Sequence, residues 1–162
     1  MKDGVVQQVD TPQALYNTPC NLFVAGFIGS PQMNFVDAVC KINGKEVTLT
    51  FDKFSVVLPE AKAQKLIDGN YDGKTVVLGI RPENISDDKE DVANCACKVT
   101  TEVTGYELLG AEVLLYFNVG GAKMTASVSS TTPARYGDTV ELAFDPNAMH
   151  VFDKETELTI TN

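Results

Sequence analysis

The sequence predicts a mainly β protein, built as small β-barrels or a β-sandwich and preceded by a short helical segment. Many short runs of β-branched and aromatic residues are separated by regular turn signals. Within this β region only one segment has a helical pattern, and two short helices are predicted before it. The 162 residues suit one ordinary domain or two very small ones, with enough chain to bury a core.

The segment before the β region predicts one strand and two helices. Residues 4–9 are expected to form a short strand. The Thr-Pro pair at residues 11–12 suits the start of a helix, which must stop before Pro19. The nearly all-apolar residues 21–28 predict a second helix, ended by a Gly-Ser-Pro sequence. These elements cannot form a domain alone, so their apolar side chains need another surface.

The first set of strands follows the second helix. Residues 35–42 and 46–51 are strand-like and are separated by a turn containing Asn-Gly, a strong hairpin signal. A third strand is predicted over residues 54–58, and a helix closed by glycine over residues 59–68. Residues 75–80 predict an almost continuously apolar strand. This order gives a sheet with one helix beside it.

The second set of strands follows an acidic stretch. Residues 83–91 carry five carboxylates and one lysine, so we expect an exposed connector rather than a cation site. Further strands are predicted over residues 95–104, 112–119, 122–129 and 139–144, with short pieces near Val151 and Leu158. Gly-Gly after the second of these strands predicts a tight hairpin turn.

Composition and charge exclude several classes of protein. Thirteen Lys and Arg face twenty-two Asp and Glu, and this net charge of −9 has the wrong sign for binding nucleic acid. No apolar run reaches the length of about 18 residues that a membrane helix needs. The first ten residues also lack the apolar core of a secretory signal. We therefore expect a soluble, cytosolic protein.

The four cysteines and the single histidine do not form a metal-ligand pattern. Cys95 and Cys97 would point to one face of a strand, which is poor geometry for a disulfide between them. A second close pair of ligands, which a tetrahedral zinc site usually needs, is missing. We expect free thiols and no metal site. His150 has apolar neighbours and is expected to be structural.

No catalytic motif is evident either. Residues 69–75 contain Gly-Lys-Thr, but three residues rather than four separate the glycines. The segment also leads from a helix into a strand, whereas a phosphate loop leads from a strand into a helix. We expect a helix cap and turn. The chain has enough carboxylates that an acid/base pair such as Glu107 and Glu112 is not excluded by their number. The spacing of these two residues does not favour such a pair.

Three segments resemble a known family. Residues 3–19, DGVVQQVDTPQALYNTP, resemble the end of the nucleotide-binding domain of ABC importer ATPases. Residues 21–35, NLFVAGFIGSPQMNF, look like the junction that follows it in the maltose and multiple-sugar importer branch. Residues 78–85, LGIRPENI, match a strand of that branch's C-terminal regulatory domain. Weaker similarities occur at residues 107–112 and 145–153.

The resemblance implies a tandem OB-fold-like regulatory domain that is attached to an ATPase domain in a longer protein. Residues 1–32 would be the tail of the ATPase domain, and residues 33–162 would form the regulatory domain from two OB-fold-like modules. No Walker A, Walker B, signature or switch-histidine motif precedes Gly4. We therefore expect this chain to be a piece without ATPase activity or a cofactor, while the parent would bind ATP and Mg²⁺.

The resemblance also implies partners. The regulatory domains would form a symmetric homodimer. The parent subunit would lie in the cytoplasm against permease subunits at the inner face of the membrane, and a regulatory protein could dock on it. The expected interface or regulatory residues occur within the resembling segments: Phe35, Arg81, Glu83, Glu107 and Glu112. The alternative is that Phe35 is a core residue and the charged residues form local ion pairs.

Two other functions remain open. One is a small-oxyanion-binding OB-fold or MOP-like domain of an anion importer ATPase, for which a −9 chain would have to use backbone amides. The other is a stand-alone, protein-binding regulator. An OB-fold that binds nucleic acid would need a basic groove with exposed aromatic residues. Here the eight Phe and five Tyr lie mostly at alternating strand positions, so we expect them in the core.

Overall fold

Two antiparallel sheets make up most of the chain, and the computed structural model describes all of residues 1–162. The helices are α1 (Pro12–Asn17), α2 (Leu22–Phe27), α3 (Glu60–Asp68) and α4 (Lys89–Asn94). The strands are β1 (Asn34–Asn43), β2 (Glu46–Phe51), β3 (Phe54–Val57), β4 (Thr75–Ile80), β5 (Ile85–Ser86), β6 (Lys98–Leu108), β7 (Glu112–Val119), β8 (Ala122–Ser129), β9 (Thr139–Phe144), β10 (His150–Asp153) and β11 (Thr159–Thr161). Two 3₁₀ turns span Pro82–Asn84 and Pro146–Ala148. The prediction of a mainly β chain that is preceded by a short helical segment is confirmed. We call residues 1–32, which contain α1 and α2, the lead-in.

The two lead-in helices begin at the capping residues. The Thr11 side chain accepts a hydrogen bond from the Ala14 N–H at 3.2 Å. The Asn21 side chain accepts one from the Val24 N–H at 2.9 Å. Each bond satisfies an amide that the helix itself leaves without a partner.

The strand predicted over residues 4–9 is wrong. A single isolated bridge joins Lys2 to Val5. Between them Asp3 and Gly4 have φ values of 51° and 78°, so the chain turns at the start of the predicted strand, and residues 6–9 pair with no other strand. The first 32 residues therefore contain two helices but no regular strand.

The first sheet has the order β11-β10-β4-β1-β2-β3. Its β1–β2 hairpin turns at the predicted Asn-Gly, with Asn43 opposite Glu46. Helix α3 packs beside β2 and β11 and buries Ala63 and Leu66. The last two strands of the chain therefore complete a sheet that its first half begins.

The second sheet has the order β5-β9-β6-β7-β8. The acidic stretch before it is mostly exposed, as predicted, but it contains helix α4 rather than only a connector. The helix forms because the Asp88 side chain accepts hydrogen bonds from the N–H groups of Glu90 and Asp91. The predicted strand start at Cys95 is wrong, since β6 begins at Lys98.

One hydrophobic core joins the two sheets. Its main cluster contains 29 buried residues from both of them. The ring of Phe144 stacks 6.3 Å from that of Phe51 and meets that of Phe117 at 6.4 Å, between centroids. The Asn34 side chain adds a polar link, because it donates to the Thr125 carbonyl at 2.8 Å and accepts from the Thr125 N–H at 2.7 Å. The sheets are therefore intertwined in sequence and packed against each other.

None of the four α-helices has the length and hydropathy that crossing a membrane requires.

Candidate functional site

Arg81 connects the lead-in helices to the first sheet. It directly follows β4 and is only 2% exposed. Its Nη1 donates to the Ile28 carbonyl at 2.8 Å, and its Nη2 donates to the Tyr16 carbonyl at 2.6 Å. The guanidinium carbon lies 3.6 Å from the centroid of the Tyr16 ring. We call this group of three residues the Arg81 junction.

The Arg81 junction satisfies the C-terminal ends of two helices. Tyr16 lies in the last turn of α1, and Ile28 directly follows α2. Carbonyl groups at helix C-termini lack intrahelical partners and carry partial negative charge. Neither helix has a basic residue in its own last turn. Arg81 supplies that positive charge from a strand that lies far away in sequence.

Burial gives Arg81 an unusual environment. Desolvation lowers its pKa below the ordinary value of a guanidinium. Its Nε is buried and has no hydrogen-bond partner. The two carbonyl bonds and the Tyr16 ring compensate for part of the lost hydration, because arginine stacks well on aromatic faces.

Phe35 fills the space between α2 and the first sheet. Its ring meets that of Phe152 edge-on, with 5.8 Å between centroids and 77° between planes. A Cβ at Gly26 of α2 would lie 3.3 Å from the Phe35 ring, and a Cβ at Gly79 of β4 would lie 3.4 Å from it. Both glycines therefore allow the ring to pack closely against helix and strand. Phe35 is half-buried here, next to a small apolar cluster that includes Met33.

Hydrogen bonds attach the lead-in to the segment around β11. The Leu22 N–H donates to the Glu157 carbonyl at 2.9 Å. Thr159 donates twice, from its N–H to the Cys20 carbonyl at 3.0 Å and from its hydroxyl to the Pro19 carbonyl at 2.6 Å. The lead-in is thus fixed to both β4 and β11.

The three predicted glutamates lie at the surface and away from ion pairs. Glu107 accepts a hydrogen bond from the Tyr116 hydroxyl at 2.8 Å, which raises the pKa of Tyr116. Glu112 accepts one from the Ser127 hydroxyl. Glu83 is exposed in the 3₁₀ turn that follows Arg81. The two ion pairs of the structure involve other residues, so the alternative of local ion pairs does not describe these side chains.

The five predicted residues therefore fall in two places. Phe35 and Arg81 lie at the contact between lead-in and sheet, with Glu83 nearby in sequence, while Glu107 and Glu112 lie on the β6–β7 hairpin. No pattern in the sequence predicts Tyr16 as the aromatic partner of Arg81. The one signal in the sequence is that Tyr16 lies near the end of a short helix without a basic residue in its last turn, so the carbonyl groups there need a positive partner from elsewhere.

Two other predicted features have structural roles. The glycine-containing segment after α3 is a turn, with positive φ at Asn70 and Gly73, as expected. His150 is 7% exposed, and its Nδ1 lies 3.0 Å from the Asn162 side-chain oxygen. Burial is the largest cause of the lowered pKa of His150. The four cysteines are free thiols, as predicted, with Cys40 and Cys97 buried.

Two family models match most of the chain. Residues 29–85 match the MalK OB fold domain, and residues 78–152 match the TOBE domain. The crystal structure of a cytoplasmic molybdate-binding protein, ModG, is similar at a TM-score of 0.54 and 14% identity, covering 73% of this chain and 94% of that one. At this identity the likeness concerns the fold alone.

Curated relatives extend the similarity along the chain. It is 41% identical over 160 residues to the uncharacterized ABC transporter ATP-binding protein YcjV of Escherichia coli, covering 99% of this chain and 42% of that protein. It is 39% identical to the oligosaccharides import ATP-binding protein MsmX of Bacillus subtilis, covering 99% and 43%. The multiple sugar-binding transport ATP-binding protein MsmK of Streptococcus mutans is 40% identical, covering 97% and 41%.

The chain thus spans less than half the length of these curated relatives. The matched domains agree with the predicted mainly β, OB-fold-like architecture, and the resemblance to the sugar-importer branch is confirmed. The chain therefore belongs to the family of MalK-type OB-fold and TOBE domains carried by the ATP-binding proteins of sugar ABC importers.

Proposed function

We propose that this chain is the regulatory and dimerisation region of the ATP-binding subunit of a carbohydrate ABC importer. The observation that carries the proposal is 39–40% identity, along almost the whole chain, to ATP-binding proteins that are named for sugar import. The parent protein would couple ATP hydrolysis to sugar uptake and would bind ATP and Mg²⁺ outside these residues. It would work in the cytoplasm, against permease subunits at the inner face of the membrane.

The Arg81 junction supports a coupling role. In this proposal residues 1–32 are the tail of the ATPase domain, and residues 33–162 are the regulatory domain. The buried Arg81, the Phe35 ring and the bonds to Thr159 hold these two parts together. Movement of the ATPase domain would therefore be passed on to the β-sheets rather than absorbed by a flexible linker.

The lead-in also exposes apolar side chains that another part of the parent could cover. Val6, Val9 and Phe27 are all exposed. Large exposed apolar residues are typical of contact sites when they lie together at a surface. In the proposed parent, these three residues would contact the rest of the ATPase domain.

The β6–β7 hairpin is the proposed dimer contact. Leu108 and Leu109 at its tip are 58% and 48% exposed, and they lie between Glu107 and Glu112. A two-fold interface uses the same patch of both subunits. Such an interface would bury the two leucines at its centre and leave the two glutamates at its polar rim.

Sedimentation equilibrium tests the dimer contact. We expect the chain to have the mass of a dimer and a Leu108→Asp, Leu109→Asp variant to be monomeric. Val39→Asp is the matched control, since it also adds a carboxylate at an exposed apolar position but lies on β1, and it should remain dimeric. A monomeric chain, or equal effects of both variants, would contradict this interface.

Two further measurements test the parent and the predicted charged residues. The reading frame upstream of Met1 should encode Walker A, Walker B and signature motifs; their absence would favour a stand-alone, protein-binding regulator.

In the full-length subunit, charge reversal at Arg81 and Glu83 should change the dimer mass or the regulation of transport. If both stay as in the wild type, these two residues have no interface or regulatory role.

A further inference from the structure

A tight β-turn lies at the start of the lead-in. Its corner residues, Lys2 and Val5, exchange two main-chain hydrogen bonds of 2.9 Å. The central residues, Asp3 and Gly4, have φ values of 51° and 78°. Positive φ at both central residues is typical of a type I′ turn, for which Asp-Gly is a preferred sequence. Since type I′ turns connect the two strands of an antiparallel hairpin, residues 2–5 have the geometry of a hairpin turn.

The segment that leaves this turn has no partner strand. We call residues 5–9, Val-Val-Gln-Gln-Val, the arm. Its three valines favour a strand, yet the main-chain N–H groups of residues 6–9 donate to no main-chain carbonyl. Val5, Val6 and Val9 are 61%, 55% and 85% exposed. The arm therefore has the sequence of a strand and an open edge where a second strand could pair.

The side chains of the arm fix it to the rest of the lead-in. The Gln8 side chain accepts a hydrogen bond from the Cys20 N–H at 2.9 Å and donates one to the Thr18 carbonyl at 3.2 Å. The Gln7 side chain accepts one from the Asn21 side chain at 2.9 Å. The main-chain carbonyl of Gln7 accepts only the Cys20 thiol, a weak donor, at 3.3 Å. These bonds hold the arm in place and leave its N–H groups free.

We propose that the arm is the second strand of a β-hairpin whose first strand is the segment directly before Met1 in the parent protein. A two-residue turn joins strands that lie side by side and follow each other in sequence, so the turn itself specifies this partner. The inference rests on the proposed function, which places the rest of the ATPase domain before the lead-in. It specifies the segment of that domain that contacts the arm.

The turn also sets the register of the proposed hairpin. Met1 would lie opposite Val6, and the residue before Met1 would lie opposite Gln7. Hydrogen-bonded and non-hydrogen-bonded pairs alternate along an antiparallel ladder, and the corner residues of the turn form a hydrogen-bonded pair. The N–H groups of Gln7 and Val9 would therefore donate to the upstream strand.

Hydrogen exchange, followed by mass spectrometry, tests the hairpin in this chain and in the full-length parent. In this chain we expect the N–H groups of residues 6–9 to exchange about as fast as those of an unstructured peptide. In the parent we expect Gln7 and Val9 to exchange about 100-fold more slowly, because each would be bonded in a strand pair. Equal exchange in the two proteins would overturn the proposal. Protection in this chain that rises with its concentration would also overturn it, since a second copy would then be the partner.

Two glycines provide matched variants of the parent. Gly4 and Gly44 both have positive φ, 78° and 64°, and a Cβ at either would meet open space. Gly4→Val strains the proposed hairpin turn and should reduce the protection of Gln7 and Val9 about tenfold. Gly44→Val strains the β1–β2 turn equally and should leave their protection unchanged. Equal effects of the two variants would contradict the hairpin.

The reading frame upstream of Met1 separates failure of the hairpin from failure of the proposed function. If it encodes the ATPase motifs and residues 6–9 still exchange as in this chain, the hairpin is wrong and the proposed function stands. If it encodes no ATPase motif, the proposed function is wrong. Slow exchange of Gln7 and Val9 in the full-length protein would then still support a hairpin with the upstream segment.

Discussion

Arg81 contacts both the ring and the carbonyl group of Tyr16. The guanidinium carbon lies 3.6 Å from the ring centroid, and Nη2 lies 2.6 Å from the carbonyl oxygen. One buried cation therefore holds the side chain and the main chain of a residue 65 positions earlier. This contact fixes the end of α1 against the first sheet.

Arg81→Ala should strongly destabilise the chain. It removes two hydrogen bonds from a charged donor and leaves the carbonyls of Tyr16 and Ile28 without that partner. Bonds of this kind contribute about 1.5–3 kcal/mol each, so we expect the free energy of unfolding to fall by about 3–5 kcal/mol. Urea unfolding, followed by circular dichroism, measures the change.

Arg135→Ala is the matched control for Arg81→Ala. Arg135 also donates to two carbonyl oxygens and lies 5.1 Å from an aromatic ring centroid, that of Tyr106, but it is exposed. We expect its loss to cost less than about 1 kcal/mol. If both variants lose the same stability, burial is not what makes the Arg81 junction important.

Asn34→Ala should weaken the contact between the sheets. The variant loses both side-chain bonds to the Thr125 main chain and leaves that N–H and carbonyl without this partner. We expect a loss of about 2–3 kcal/mol and a thermal midpoint that is lower by several degrees. Asn118→Ala, an exposed position on β7, should change the midpoint little. Equal midpoints of Asn34→Ala and the wild type would contradict the polar link between β1 and β8.

Stability should fall as the pH drops through the range in which His150 titrates. Burial lowers the pKa of His150 in the folded chain, so the unfolded chain binds this proton more readily. The contribution is fully present above the unfolded value of about 6.5 and is lost as the pH falls through the lower folded value. Urea unfolding at a series of pH values, without phosphate or sulfate, should show this slope, and His150→Gln should reduce it. The same slope in both proteins would show that other groups cause it.

Alkylation should distinguish the four thiols. Burial raises the pKa of Cys40 to about 11 and that of Cys97 to about 12, and only the thiolate is reactive. At about pH 8 we expect iodoacetamide to modify Cys20 and Cys95, which are half-buried, well before the other two. Peptide mass spectrometry measures each site, with urea-unfolded protein as the control in which all four react. Rapid modification of Cys97 in the folded chain would contradict its burial.

Local signals in the sequence predict the elements that local interactions form. The Asn-Gly turn predicts the β1–β2 hairpin, and Thr11 and Pro12 predict the start of α1, because these features depend on neighbouring residues. The turn at Asp3 was missed because a non-glycine residue with positive φ is uncommon. Helix α4 is not predicted, because the run of acidic residues indicates an exposed connector even though Asp88 can act as an N-cap.

The Arg81 junction depends on contacts that spacing cannot predict. The resemblance to the sugar-importer branch predicts that Arg81 and Phe35 lie at an interface or regulatory site. It does not predict which groups either side chain contacts. The acceptors of Arg81 lie 53 and 65 residues away in sequence. Both become available only because two short helices end at the same place in the fold. No periodic pattern along the chain contains that information.

The position of β10 has a consequence for how the protein is made. β10 lies between β4 and β11, so residues 150–153 complete a sheet that begins at residue 34. Until residues 150–153 have left the ribosome, β4 has an open edge that could pair with another chain. Pairing over so long a sequence distance is slow. We therefore expect the two sheets to form together in one cooperative step, once residues 150–153 are available, rather than one module at a time as the chain emerges.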